Sequence, residues 1–129
     1  CISFFFSAVR DAMESSPSRV VVVHVVMGSK TGLCSPSMKN IEDLQQQYGE
    51  RLVVVMDACQ LRTNLSCVAD NASRGFLTLI TGSKFFCGPP FSGAVILPAE
   101  AMRELEEGAG AATGTLPSGI KDYFTCYEV

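Results

Sequence analysis

RLVVVMDACQ (51–60), FLTLITGSKFF (76–86) and FCGPPFSGAVILP (86–98) decide the fold. Each holds a short apolar run rich in β-branched residues and bounded by Gly, Pro or a charge, the pattern of a buried strand. The polar stretch 61–74 between the first two runs has room for one short helix, so the strands it joins are parallel. The connection 82–92 is short for a helical crossover, and the run at 93–98 therefore returns antiparallel to its neighbour. Reactive side chains stand where the runs end. Asp57 closes the first, with Gln60 just beyond it, and Lys84 follows the second behind Thr81, Gly82 and Ser83.

Upstream, RVVVVHVVM (19–27) is a continuous β-branched run, the mark of a parallel strand covered on both faces. His24 inside it reads as a core or edge histidine held by a backbone carbonyl. Ile2, Phe5, Phe6, Val9 and Met13 recur at helical spacing over 2–14, and SSPS at 15–18 is a turn. GSKTGLCSPS (28–37) is a glycine-rich loop in which Ser35 starts a helix with Pro36 at its first position. Met38, Ile41, Leu44 and Tyr48 then mark one apolar face until Gly49 closes that helix. A last helix spans 99–107 and ends at Gly108, and residues 108–129 carry no assignable element. The expected class is α/β: three layers, a mainly parallel sheet with helices on both faces, and a last strand that is antiparallel.

Composition narrows the functions. At 129 residues and 47% hydrophobic, the chain is one modest domain with a sizeable core. Ten Lys and Arg against thirteen Asp and Glu give a formal charge of −3 with no basic stripe, which argues against a nucleic-acid partner. No apolar run approaches the ~20 residues that cross a bilayer, so no membrane association is expected. The six cysteines form no CxxC and there is one His, so no metal site is expected. Reduced thiols and a cytoplasmic location follow from the same cysteine pattern. A start at Cys1 and an end at Val129 with no closing element read as a fragment of a longer chain.

In open α/β sheets, ligands lie beyond the carboxyl ends of the strands. GSKTG has the glycines of an anion loop without the GxxxxGK[ST] spacing, and no GxGxxG follows any strand. TGSK places two hydroxyls beside an amine. Asp57 reads either as a carboxylate capping the next turn or as a fixed negative charge on the floor of a cleft. Lys84 reads either as a solvent-facing lysine or as an amine that becomes a base or an imine former when deprotonated.

DACQ after one strand, TGSK after the next, then GPPFSGA, all preceded by VVVHVVMGSKTGLCSP (21–36), form one ordered set. In order, spacing and context it resembles the fold type I pyridoxal-phosphate (PLP) enzymes, nearest the class V aminotransferase and cysteine desulfurase superfamily. The likeness covers residues 19–98. It implies that Lys84 forms the Schiff base with PLP, that Asp57 partners the pyridine nitrogen and that Gln60 donates to the phenolic oxygen. Thr81 and Ser83 would reach the phosphate, although the superfamily often has His where Ser83 stands. Ser29 falls where an Asn frequently contacts the phenolic oxygen, and Thr31 with Gly32 fits the loop pattern.

The resemblance further implies a transferase or lyase acting on an amino acid or related amine, and a homodimer at full length. Aminotransferase-like chemistry is favoured over desulfuration, because Cys34, Cys59 and Cys87 lie beside strand ends rather than on a mobile loop. The ring-stacking residue, the amino-terminal phosphate loop and the substrate-carboxylate arginine have no assignable counterpart, and nothing gives Arg62 or Arg74 that role. On this reading, residues 1–129 are part of a PLP-binding large domain and inactive alone, with 108–129 leading to a smaller domain. Two other classes compete. A non-catalytic α/β binding or assembly protein has no need of Lys84 and Asp57, and a phosphoanion enzyme without PLP leaves Gln60 and GPPFSG without a purpose.

Overall fold

The computed structural model describes residues 2–32, 34–84, 87–90 and 92–109; of the expected tail 108–129, the first two residues belong to the last helix and 110–129 lie outside the described residues. In chain order the elements are α1 (Ile2–Glu14), β1 (Val21–Val26), α2 (Met38–Tyr48), β2 (Leu52–Asp57), α3 (Leu65–Ser73), β3 (Leu77–Thr81), β4 (Gly93–Ile96) and α4 (Ala99–Ala109). A short 3-10 turn, Gly49–Arg51, joins α2 to β2. The chain divides into two compact units, residues 1–99 and 100–129, and the sheet lies in the first.

The sheet has the order β1-β2-β3-β4. β1 and β2 are parallel from Val21↔Leu52 to Val26↔Asp57, and β2 and β3 are parallel from Val55↔Leu77 to Asp57↔Leu79. β4 runs antiparallel to β3 from Thr78↔Ile96 to Thr81↔Gly93, as the short connection required. The chain is therefore α/β with a mixed sheet of three parallel strands and one antiparallel strand.

The expected second helical layer is not found among the described residues of this unit. Val23, Val25, Val54 and Met56 are buried with Val9 and Met13 of α1 and with Ile41 and Leu44 of α2 in one core. α3 lies on the same side: its Asn71 side chain donates to the Met27 sulfur at 3.2 Å, and the Arg74 carbonyl at its end accepts from Gln45 of α2 at 3.2 Å. Alternate residues of the strands face away, and Val22 on that side is 63% exposed. The β-branched run of β1 is thus covered on one face, not two. Right-handed crossovers explain the correction. With β1, β2 and β3 adjacent and in sequence order, both crossover helices must fall on one side of the sheet.

Local chemistry sets the helix ends. α2 begins after Ser37, not Ser35, because Ser35 is taken up by a two-way backbone pairing with Val26, 3.0 and 3.1 Å. Ser37 instead offers its carbonyl to the amides of Asn40 and Ile41. Asn64 caps α3 by accepting the Ser66 amide at 3.1 Å. Arg51 reaches back to donate to the Met13 carbonyl at 2.7 Å, placing a cation on the last turn of α1, where helical carbonyls lack partners. Phe76, fully buried, anchors the entry to β3, and burying such a side chain contributes roughly 1.5–3 kcal/mol.

In the second unit, α4 carries an ion pair between Arg103 and Glu100 one turn apart, while Met102 and Leu105 are exposed. No helix among the described residues is long and apolar enough to cross a membrane.

Candidate functional site

Three parallel strands bring three loops to one edge: 27–35 after β1, 58–62 after β2 and 82–84 after β3. Asp57, Gln60, Ser29 and Lys84 line one open cleft of about 180 Å³ at that edge. Lys30, Gly28 and Cys59 line it with them. Gly28 leaves β1 with φ +69, a backbone region that a side chain at this position would strain.

The Asp57 carboxylate is held at both oxygens. Oδ1 accepts the Cys59 amide at 3.0 Å, closing the turn that carries Gln60. Oδ2 lies 3.2 Å from His24 Nε2. The capping reading and the cleft reading of Asp57 therefore both describe the same residue. Burial pushes this carboxyl up, but the Cys59 backbone and side-chain hydrogen bonds, with the His24 charge and hydrogen bond, outweigh burial and hold it below the ordinary carboxylate value. The Cys59 thiol moves the other way: burial, then its hydrogen bond to Asp57 and the Asp57 charge, raise it, against an opposing pull from Lys84.

Of the core or edge histidine that the sequence suggested, the structure gives the edge one: His24 stands exposed on the edge strand β1, with Asp57 rather than a backbone carbonyl as its partner. It stands on the exposed face of β1 beside Val55, and so one diagonal step from Asp57 on the same face. Sequence showed both residues on strands but not the register that joins them.

The remaining predicted residues divide. Thr81 directs its hydroxyl to the Cys59 carbonyl at 2.8 Å, tying the end of β3 to the turn after β2. Ser83 is exposed beside Lys84. Ser29 and Thr31 share a hydroxyl hydrogen bond at 3.0 Å in the first loop, where Arg62 also donates to the Lys30 carbonyl at 3.1 Å. Neither Thr81, Ser83 nor Thr31 lines the cleft itself.

Gly88 and Ser92, from the turn that the sequence places after the lysine, secure the lysine loop. The Gly82 amide donates to the Ser92 carbonyl and the Gly88 amide to the Gly82 carbonyl, each at 3.0 Å. A Cβ at Gly88 would stand 2.8 Å from Ser92 Oγ and 2.9 Å from the Gly82 carbonyl oxygen, so only glycine allows this approach. Leu61 (φ 44) and Cys87 (φ 50), beside the two loops, hold positive φ without being glycine, a strain that concentrates at functional sites.

Asp57 and Lys84 make no salt bridge with each other; the basic side chain on Asp57 among the described residues is His24, whose Nε2 lies 3.2 Å from Oδ2. No group of three or more metal-ligating side chains occurs among the described residues, and Cys34, Cys59, Cys67 and Cys87 are free thiols. Comparison of the chain with protein-family models, with curated proteins and with solved structures found no significant match.

Proposed function

We propose that the chain is the cofactor-binding part of a PLP-dependent transferase or lyase that acts on an amino acid or related amine through Lys84. One observation carries the reading: a carboxylate, a carboxamide and an unbridged amine, Asp57, Gln60 and Lys84, share one cleft at the carboxyl edge of parallel strands. The donor set suits PLP, whose basic ring nitrogen, phenolic oxygen and aldehyde call for an anion, a hydrogen-bond donor and a primary amine. When bound, PLP supplies an electron sink for a carbanion at the substrate α-carbon.

The chain's own residues do the rest. Asp57, ionised and fixed by the Cys59 amide, holds a proton on the ring nitrogen. Gln60 donates from the turn that Asp57 closes. Lys84, whose amine lies at the cleft, would hold the cofactor's aldehyde carbon and would carry the proton at the substrate α-carbon. Ser83 would offer its hydroxyl to the phosphate and Ser29, in the cleft, would face the phenolic oxygen, while Thr81 holds the Cys59 carbonyl and with it the DACQ turn.

Within this class, aminotransferase-like chemistry fits better than desulfuration. A sulfur acceptor works as a thiolate, and the cleft cysteine, Cys59, has its thiol held protonated by burial and by Asp57. We infer a cytoplasmic homodimer, in keeping with the free thiols.

The test is reduction of the full-length parent protein with borohydride after incubation with PLP, followed by peptide mapping. The expected result is one pyridoxyl group on Lys84. Label on Lys30, which lines the same cleft, or on Lys39 or Lys121, overturns the site. No label on any lysine overturns the PLP reading.

A further inference from the structure

The pairing of His24 with Asp57 is not part of the sequence motif and has no role in the reading above. We propose that His24 is a positioning residue for Asp57, holding one carboxylate oxygen so that the carboxylate presents a fixed edge to the ring nitrogen of the cofactor. This deepens the PLP reading and rests on it.

The geometry is specific. Two donors approach Asp57 from different elements: the Cys59 amide on Oδ1 at 3.0 Å from the turn after β2, and His24 Nε2 on Oδ2 at 3.2 Å from the neighbouring strand β1. A carboxylate gripped at one oxygen still swings about its side-chain torsions, whereas one gripped at both from separate elements does not. Each oxygen has two acceptor sites, so both grips leave capacity for a third partner in the cleft. A preorganised acceptor loses no free energy to reorientation when the cofactor binds.

The position of His24 also argues for a role. Its side chain is 57% exposed, more than the 29% of Asp57, in the middle of a strand otherwise made of valine. On that face a valine would satisfy strand propensity as well, so the imidazole is not required for packing. The other titratable groups around Asp57 are Cys59 on the turn after β2, Lys30 on the loop after β1 and Lys84 after β3, all lining the same cleft. His24, by contrast, is not among the cleft-lining residues and reaches Asp57 from the neighbouring strand β1.

The experiment has three arms. In the wild-type chain, nitrogen-15 NMR of labelled histidine should show neutral His24 as the Nε2–H tautomer, the one that donates to Asp57; the Nδ1–H tautomer overturns the proposal. In the cofactor-free chain, carbon-13 titration of the Asp57 carboxyl should move to higher pH in His24→Phe and return toward wild type in His24→Gln, which keeps an N–H donor. An unchanged titration in both variants overturns it. With nitrogen-15 PLP bound, the ring-nitrogen signal should move toward the unprotonated form in His24→Phe, while borohydride still labels Lys84. A ring nitrogen as protonated as in wild type overturns the proposal even if PLP binds. If wild-type protein takes up no PLP, the parent reading fails and takes this one with it. That failure shows in the wild type rather than only in the variants.

Discussion

Replacing Asp57 with Asn removes one charge and almost no volume, so it separates structural from chemical roles. The Asn side-chain oxygen can still accept the Cys59 amide that Asp57 Oδ1 accepts at 3.0 Å, and the turn carrying Gln60 should survive. What is lost is the charged acceptor in the contact with His24, between side chains 57% and 29% exposed. Pairs this open to water contribute about 0–1 kcal/mol, so the unfolding free energy should fall by no more than ~1 kcal/mol. The pH dependence has a defined sign. The carboxyl lies below its ordinary value of 3.8 in the folded chain, so its contribution is present above that value and disappears as pH falls through the folded value. Urea denaturation should therefore show a small gap between wild type and variant at neutral pH that closes in acid.

The chemical consequence is larger. A hydrogen bond to a charged group is worth about 1.5–3 kcal/mol. If that bond to the ring nitrogen is made fully only as the carbanion forms, its loss slows the step roughly 10- to 150-fold. Single-turnover absorbance after adding substrate amine to the PLP-loaded protein reads this directly. A variant that reacts at the wild-type rate refutes the role proposed for Asp57 at the ring nitrogen. A variant destabilised by several kcal/mol refutes the division of roles, because the carboxylate would then be holding the fold.

Other outcomes follow from the same geometry. Lys84→Ala should abolish the borohydride-fixed adduct while Lys30→Ala leaves it intact, as judged by peptide mapping; the reverse pattern would move the reactive amine to the first loop. Cys59 should be alkylated by iodoacetamide more slowly than the exposed Cys34 and Cys67, and Asp57→Asn should speed it by removing the neighbour that keeps the thiol protonated. Gly88→Ala forces its methyl against the Gly82 carbonyl and should lower PLP labelling of Lys84 with little change in far-ultraviolet circular dichroism. Phe76→Ala, at a fully buried site, should cost about 3–5 kcal/mol in urea denaturation, and a loss under ~1 kcal/mol would show that the core entry to β3 is misplaced.

Much of the architecture was legible one stretch at a time. β2 runs from Leu52 to Asp57 as its apolar pattern requires, α2 ends at Gly49, and the short 82–92 connection makes β4 antiparallel. These features depend on local periodicity, capping and connection length, which the residues themselves specify. Asp57, Gln60 and Lys84 were legible as candidates for the same reason, since each follows the end of an apolar run.

Features that depend on neighbours distant in sequence were not legible. The run VVVHVV has the same composition whether one face of its strand is covered or two; the one-sided packing follows from sequential strand order and the common hand of the crossovers. His24 and Asp57 are 33 positions apart by their numbers in the chain, and only the parallel register of β1 on β2 puts them on one face within hydrogen-bond reach. Gly88 likewise reads as a turn glycine until the close approach of Gly82 shows that it secures the lysine loop. The sequence determined which segments become strands and which reactive groups stand at their ends. Tertiary structure decided which of those groups meet, because strand register and crossover hand are properties of pairs of segments rather than of any one of them.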